Sequence, residues 1–295
     1  MASTLNLFFL CVVIWGSTWI AIKFQLGTVA PEVSLFYRFV MAAAVLFAYC
    51  WWRKLPMRFT PVQHARMAAQ GSLMFGISYI FVYHAEMYVV SGLVAVGYSA
   101  SPLLNMVVVR LFYGTPINLR VTIGALLGIA GIVIIFWPEF ANLRADGNVA
   151  LGAGFTAVAV IVSAVASGLV TRNSHHGLPV WQTMAWGMFY GALALLVISL
   201  VMGRSFPLPL TLPYLGSLFY LAIFGSVIAF ACYYTLLHRI GAGRAGYIGV
   251  MVPVIALFIS AMFEGFRWQL ATWMGIALSF VGNVIVLRQG TKMSS

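Results

Sequence analysis

Charge is what this sequence lacks. Only 7% of its 295 residues are charged and 63% are hydrophobic, whereas a soluble domain carries about 25% charged residues. Such a surface cannot be solvated in water, which excludes a soluble globular protein and calls for an integral membrane protein. Acidic residues are scarcest: Glu32, Glu86, Glu139, Asp146 and Glu264 are the five in the chain. None is expected at mid-membrane depth, where a proton or sodium relay belongs. The three cysteines, Cys11, Cys50 and Cys232, stand singly in apolar runs, which excludes a disulfide framework and a cysteine metal centre. No metal site is expected at the His175-His176 pair either, because it has no further ligands nearby. The phosphate-binding pattern G-x-x-x-x-G-K-[ST] is missing, so no nucleotide hydrolysis is expected. Gly241-Ala-Gly-Arg-Ala-Gly246 matches G-x-G-x-x-G, yet no strand precedes it and it reads as a flexible turn. With no nucleophile–base set in view, neither an enzyme nor a cofactor is expected. The net charge of +11 is spread over short connections without a clustered stripe, which argues against a nucleic-acid partner.

What the chain does have is apolar length. A helix crossing about 30 Å of hydrocarbon needs roughly 20 apolar residues. Ten segments qualify: 5–25, 32–52, 66–88, 92–112, 119–137, 149–171, 179–202, 213–237, 243–263 and 270–288. Leu5–Ile22 has no preceding basic residue and no convincing cleavage site, so it reads as the first transmembrane helix and not as a leader. The connections are short and hold Pro, Gly and Arg, leaving no room for a soluble domain. Even-numbered connections and the C-terminus carry Arg53, Lys54, Arg58, Arg66, Arg110, Arg120, Arg172, Arg239, Arg244, Arg288 and Lys292, against Arg144, Arg204 and Arg267 in the odd-numbered ones. The positive-inside rule then places both termini in the cytoplasm.

The sequence also writes one stretch twice. Gly92, Pro102, Phe112, Gly114, Leu119, Gly124 and Gly131 recur at one constant offset as Gly243, Pro253, Phe263, Gly265, Leu270, Gly275 and Gly282. Ten helices in two copies make five per copy, and an odd number forces the second copy into the opposite orientation. The expected fold is an all-α membrane protein of two inverted five-helix repeats, 1–140 and 147–288, with a cytoplasmic tail at 289–295. Such an architecture has two near-equivalent shapes, one open to each side, so alternating access is its natural consequence.

Trp15-Gly-Ser-Thr-Trp19, the paired Gly92–Pro102 and Gly243–Pro253 spacings, and Phe263-Glu-Gly265 before a Gly-rich last helix together resemble the drug/metabolite transporter superfamily with paired EamA domains. The resemblance covers nearly the whole chain and is nearest to the amino-acid exporters, including the YddG-type aromatic amino acid exporters. It implies export of small metabolites, amino acids above all, across the bacterial inner membrane by a multi-pass protein. It also implies an acidic residue ending the fourth helix; this chain has Tyr113 there and keeps only the repeat mate, Glu264.

Several residues are candidates for the solute path. Tyr79, Tyr83 and Glu86 share a narrow arc of the third helix. Tyr98, Ser101, Pro102 and Asn105 follow in the fourth, where Pro102 is expected to free a carbonyl near mid-helix, as Pro253 does in the ninth. With Trp186, Tyr234 and Tyr247 these residues would suit a small amphipathic solute: rings for an apolar side chain, hydroxyls for amino and carboxylate groups. Interfacial belts and ordinary helix packing are the competing account for the same aromatics. His84 points away from the Tyr83 face and is expected to pack on another helix. Lys23, Arg38 and Glu86 fall at similar outer depth, and an Arg38–Glu86 pair is expected at an outer gate; snorkelling of Lys23 and Arg38 to the headgroups is the alternative. Gly124-x-x-x-Gly128 and Gly187-x-x-x-Gly191 read as close helix contacts, and Trp51-Trp52 beside Arg53-Lys54 as an interfacial anchor. The function expected is facilitated export of aromatic and other neutral amino acids by a monomer in the lipid bilayer, with a proton-coupled drug or metabolite exporter of the same fold as the alternative.

Overall fold

A computed structural model of the chain describes residues 3–114, 119–141, 148–245 and 247–287; of Pro102 and Tyr247 only the backbone is described. The described residues contain helices and connections and no strand. This is what lipid demands, because a helix satisfies its own backbone groups. In chain order the helices are α1 Thr4–Lys23, α2 Pro31–Trp52, α3 Pro61–Gly71, α4 Ser78–Glu86, α5 Ser91–Tyr98, α6 Ser101–Tyr113, α7 Leu119–Ala141, α8 Asn148–His175, α9 Val180–Val201, α10 Leu212–Phe219, α11 Ala229–Ala245, α12 Tyr247–Phe263 and α13 Leu270–Leu287. Among the described residues, α1, α2, α8, α9 and the run Leu212–Leu236 are long and apolar enough to cross a membrane, with shorter apolar stretches in α7, α12 and α13.

Among the described residues, the third, fourth and eighth apolar segments depart from a plain α-helix. Between α3 and α4 the chain widens into a π-helix over Ser72–Ile77, and between α10 and α11 it does so again over Tyr220–Ile228. The pair Phe75-Gly76 in the first π stretch recurs as Phe224-Gly225 in the second. The fourth segment divides into α5 and α6 around Ser99 and Ala100, whose N–H groups donate to Val96 and Gly97. Pro102 therefore stands in the first turn of α6, where its missing N–H costs nothing, and not in mid-helix as its sequence position suggested. Pro253 does lie inside α12. Nor is Gly241-Ala-Gly-Arg-Ala a turn: α11 runs on through Ala245, its Ala and Arg residues being strong helix formers.

The packing partners come in matched sets. The second π stretch rests on α1 and α2, and the first rests on α8 and α9; α1 packs on α12 as α8 packs on α5 and α6. The pairs α2–α9, α5–α12 and α7–α13 join the halves directly. Glycine sets the closest of these contacts. A Cβ on Gly282 of α13 would lie 2.6 Å from the Gly128 nitrogen and also strike the Gly124 carbonyl, while one on Gly71 would lie 2.6 Å from Gly187 Cα. Both Gly-x-x-x-Gly motifs are thus spent on backbone-to-backbone approach.

Candidate functional site

Three of the five acidic residues gather at one end of the bundle. Glu264, at the end of α12, accepts hydrogen bonds from the Ser91 backbone N–H at 3.1 Å, from the Ser91 hydroxyl, and from Ser260 Oγ at 2.5 Å. Ser260 Oγ also accepts from Gly92 N at 2.8 Å. The first N–H groups of α5 are orphans that no residue of its own turn satisfies, so α12 caps α5 from across the halves and places a carboxylate on its positive end. Lys23, closing α1, completes this knot: its ammonium lies 3.5 Å from Glu264, and it donates to the Glu86 carbonyl and to that of Val89 at 2.9 Å. The approach is tight, since a Cβ on Gly92 would lie 2.9 Å from Leu257 Cα. Beside the knot opens a cleft of about 290 Å³ lined by Lys23, Tyr88, Val89, Leu93 and Val149. Glu32 forms a second, smaller knot here, 3.7 Å from both His84 Nε2 and Arg204 Nε.

Deeper in, an aromatic run joins the halves. Tyr79 meets Phe39 at 5.2 Å, Phe39 meets Phe75 at 5.4 Å, Phe75 meets Phe230 at 6.1 Å, and Phe230 meets Trp15 at 5.2 Å and Tyr234 at 6.3 Å. Arg38 lies against this run, its guanidinium 4.7 Å from the Tyr79 ring centre, which places a cation over a π face. Its Nε donates to Ser226 Oγ at 3.2 Å, and that hydroxyl donates in turn to the Leu221 carbonyl of the π stretch. Trp15 Nε1 donates to a second carbonyl of the same stretch, Gly225, at 3.2 Å. The π turn thus leaves two carbonyls to side chains, Leu221 to its own Ser226 and Gly225 to Trp15 of α1, while Arg38 of α2 braces the Ser226 hydroxyl, and π turns recur at functional sites. Tyr83 donates to Gln25 Oε1 at 2.7 Å, and Tyr98 pairs with Ser78 at 2.9 Å and with the Trp19 ring at 5.3 Å.

The comparisons with known proteins decide the family. The chain matches the EamA-like transporter family over residues 3–137 and again over 151–288. It belongs to that family. The EamA-like chain is 25% identical over 286 residues to an uncharacterized transporter of Archaeoglobus fulgidus, covering 95% of this chain and 97% of that protein. It is 27% identical to the uncharacterized inner membrane transporter YedA of Escherichia coli strain K12 (94% and 88% covered) and 26% identical to the protein PecM of Dickeya dadantii (92% and 88%). A crystal structure aligns over 98% of both chains with a TM-score of 0.70 at 17% identity, a likeness of fold alone. The protein is therefore a multi-pass membrane transporter.

Within this EamA-like fold the candidate residues separate into groups. Tyr79, Tyr83 and Glu86 do share one face of α4, with Tyr79 under Arg38 and Tyr83 against Gln25. Tyr98 is tied to Ser78, directly after the first π stretch, and Tyr234 ends the aromatic run. Trp186 is elsewhere, in a cluster with Phe47, His64 and Tyr190. Ser101 and Asn105 lie on α6, which packs on α8; Ser101 Oγ and Asn105 Oδ1 are buried without a partner, and no hydrogen bond ties either to Tyr79, Tyr83 or Tyr98. Pro102 and Tyr247 have side chains outside the described residues. His84 packs on Phe155 of α8 at 5.6 Å, as its direction implied. The expected Arg38–Glu86 ion pair does not form: Arg38 turns to Ser226 and Tyr79, and both Glu86 oxygens lack a partner. Sequence reading placed the two at one depth but had no measure of their rotation about α2 and α4. It also missed Gln25, Ser91, Ser226 and Ser260, small polar residues that carry no motif.

Proposed function

We propose that the chain exports neutral amino acids, aromatic ones foremost, across the bacterial inner membrane by alternating access, as a monomer moving substrate down its gradient. Ten spans in two inverted repeats, 1–140 and 147–288, with both termini in the cytoplasm, complete this reading. It draws support from the matched packing partners, from the recurrence of the π stretch in both halves and from the antiparallel approach of Gly131 to Gly275 and Gly128 to Gly282. With that orientation the Glu264–Ser91–Lys23 knot lies at the outer end and holds it shut.

One observation carries the substrate class: the aromatic run from Tyr79 to Tyr234, buried at Phe39 and Phe75 and half-buried elsewhere, with the Arg38 guanidinium set against it. Aromatic faces bury a large apolar side chain, and a fixed cation selects an anionic headgroup. The test is counterflow in proteoliposomes loaded with unlabelled amino acids. Labelled L-phenylalanine should accumulate transiently when the vesicles hold phenylalanine, tryptophan or leucine, and should not when they hold glutamate or lysine. Equal exchange against all five would sink the substrate assignment. Proton-coupled export is the second reading, favoured by the fully buried, unpartnered carboxylate of Glu86. Uphill phenylalanine accumulation driven by a pH jump alone would establish it over facilitated movement.

A further inference from the structure

Arg38 and Glu86 are buried opposite charges that share one neighbourhood without meeting. Arg38 is 2% exposed and Glu86 0%. Arg38 Nη1 and both carboxylate oxygens of Glu86 have no hydrogen-bond partner. Both charges act on Tyr83, which lies one turn before Glu86 on α4. Gln25, also wholly buried, gives its oxygen to the Tyr83 hydroxyl and keeps an unpartnered Nε2 donor. Lys23 is the other cation within electrostatic reach of Glu86, but its ammonium is taken by Glu264 and by the Glu86 and Val89 carbonyls.

An unmade hydrogen bond on a buried polar group costs about 1–3 kcal/mol, and more on a charged one. A fold that leaves two donors and two acceptors in that state, the donors on side chains held by Ser226, Tyr79 and Tyr83, keeps them for something else. Arg38 is fixed by Ser226 and by the Tyr79 ring; its free nitrogen presents a preset donor that never loses its charge. The missing partner must accept from Arg38 and Gln25 and donate to Glu86. A carboxylate and an ammonium one carbon apart meet both demands at once.

We propose that Arg38, aided by Gln25, binds the α-carboxylate of the transported amino acid and that Glu86 binds its α-ammonium, so that the headgroup is selected as a zwitterion. This assignment rests on the amino-acid reading above and deepens it.

The test uses the full chain in proteoliposomes and three competitors of labelled L-phenylalanine counterflow: unlabelled L-phenylalanine, phenethylamine (ammonium only) and 3-phenylpropionate (carboxylate only). The wild type should prefer phenylalanine over either half-charged compound by about 10- to 100-fold, the weight of one charged hydrogen bond. Arg38→Gln should weaken phenylalanine by a similar factor and leave phenethylamine unchanged. Glu86→Gln should weaken phenylalanine and leave 3-phenylpropionate unchanged. Preference ratios are read within one vesicle preparation, so they do not depend on the amount of folded protein, and Arg38→Lys and Glu86→Asp extend the series with charge retained. Variants that lower all three compounds in proportion, or a wild type that takes phenethylamine as well as phenylalanine, overturn the assignment. A wild type that exchanges no amino acid at all overturns the transport reading beneath it; phenylalanine exchange with unaltered preferences in the variants overturns this assignment alone.

Discussion

Replacing Glu264 with alanine loosens the end of the bundle where α5 meets α12, and a cysteine placed behind it becomes reactive. Glu264 accepts from Ser91 N, Ser91 Oγ and Ser260 Oγ and pairs with Lys23. A hydrogen bond to a charged group contributes about 1.5–3 kcal/mol. Removing the carboxylate leaves the Ser91 N–H of α5 without its acceptor and Lys23 without its counter-charge, so more than one such bond is lost. A shift of about 1.4 kcal/mol already changes a two-state ratio tenfold, and a gate closed by these contacts would open at least about tenfold more often. Leu93, 1% exposed and lining the adjacent cleft, is the reporter position. In a background with Cys11, Cys50 and Cys232 replaced by alanine, Leu93→Cys should react at least about tenfold faster with a membrane-impermeant maleimide when Glu264→Ala is added. Glu264→Gln, which keeps one acceptor oxygen, should fall between. Equal labelling rates in all three proteins would mean that the carboxylate does not hold this end closed.

Gly71→Val should cost the fold heavily at the α3–α9 contact. A Cβ at position 71 would meet the Gly187 carbonyl oxygen and lie 2.6 Å from Gly187 C and Cα. Those atoms are backbone, so no rotamer change relieves the clash and α3 must move off α9. Overpacking of a closed contact costs about 1–3 kcal/mol, and valine adds its two methyl groups to a site that cannot accept one. Gly154 on α8 and Gly216 on α10 provide the control, because a Cβ at either meets nothing within 4 Å. Alanine at those two sites should hold or raise the unfolding temperature in detergent, given the helix preference of about 1 kcal/mol over glycine. Valine at 71 should lower that temperature by several degrees or abolish monodisperse protein. Wild-type stability in Gly71→Val would mean that α3 and α9 do not approach as described.

Long uniform apolar runs were the most legible part of this chain. The segments read at 32–52 and 179–202 emerge as α2 Pro31–Trp52 and α9 Val180–Val201, because a span of that length bounded by Pro and polar connections admits one solution. Local backbone departures were not legible in the same way. Hydropathy averages over a π turn, so Ser72–Ile77 and Tyr220–Ile228 left no mark beyond the recurring Phe-Gly pair. The break before Pro102 had a signal in the proline itself, which has no N–H to donate to a preceding helical turn. The Thr60–Gln63 capping box that starts α3 at Pro61 had one too, in the polar stretch ahead of the apolar run.

The candidate site was legible as residue types and illegible as pairs. Arg38, Glu86 and Tyr79 stood out because charge and hydroxyls are rare in lipid-facing sequence. Which of them touch depends on helix rotation and on contacts between residues far apart in the chain. Glu264 illustrates the difference. The repeat alignment singled it out against Tyr113, but its partners Ser91 and Lys23 lie on α5 and α1, and nothing in a single sequence ties those three positions together.

In the proposed transport cycle the α5–α12 contact is a gate that must open at every turn. Ser91 Oγ and Ser260 Oγ lie 3.1 Å apart, close enough for cysteines at the two positions to bridge. In the cysteine-free background, Ser91→Cys with Ser260→Cys should exchange phenylalanine when reduced, lose that exchange on oxidation, and regain it on reduction. Full exchange in protein shown by mass spectrometry to be completely bridged would contradict the account, because it would mean that substrate passes without this end of the bundle ever opening.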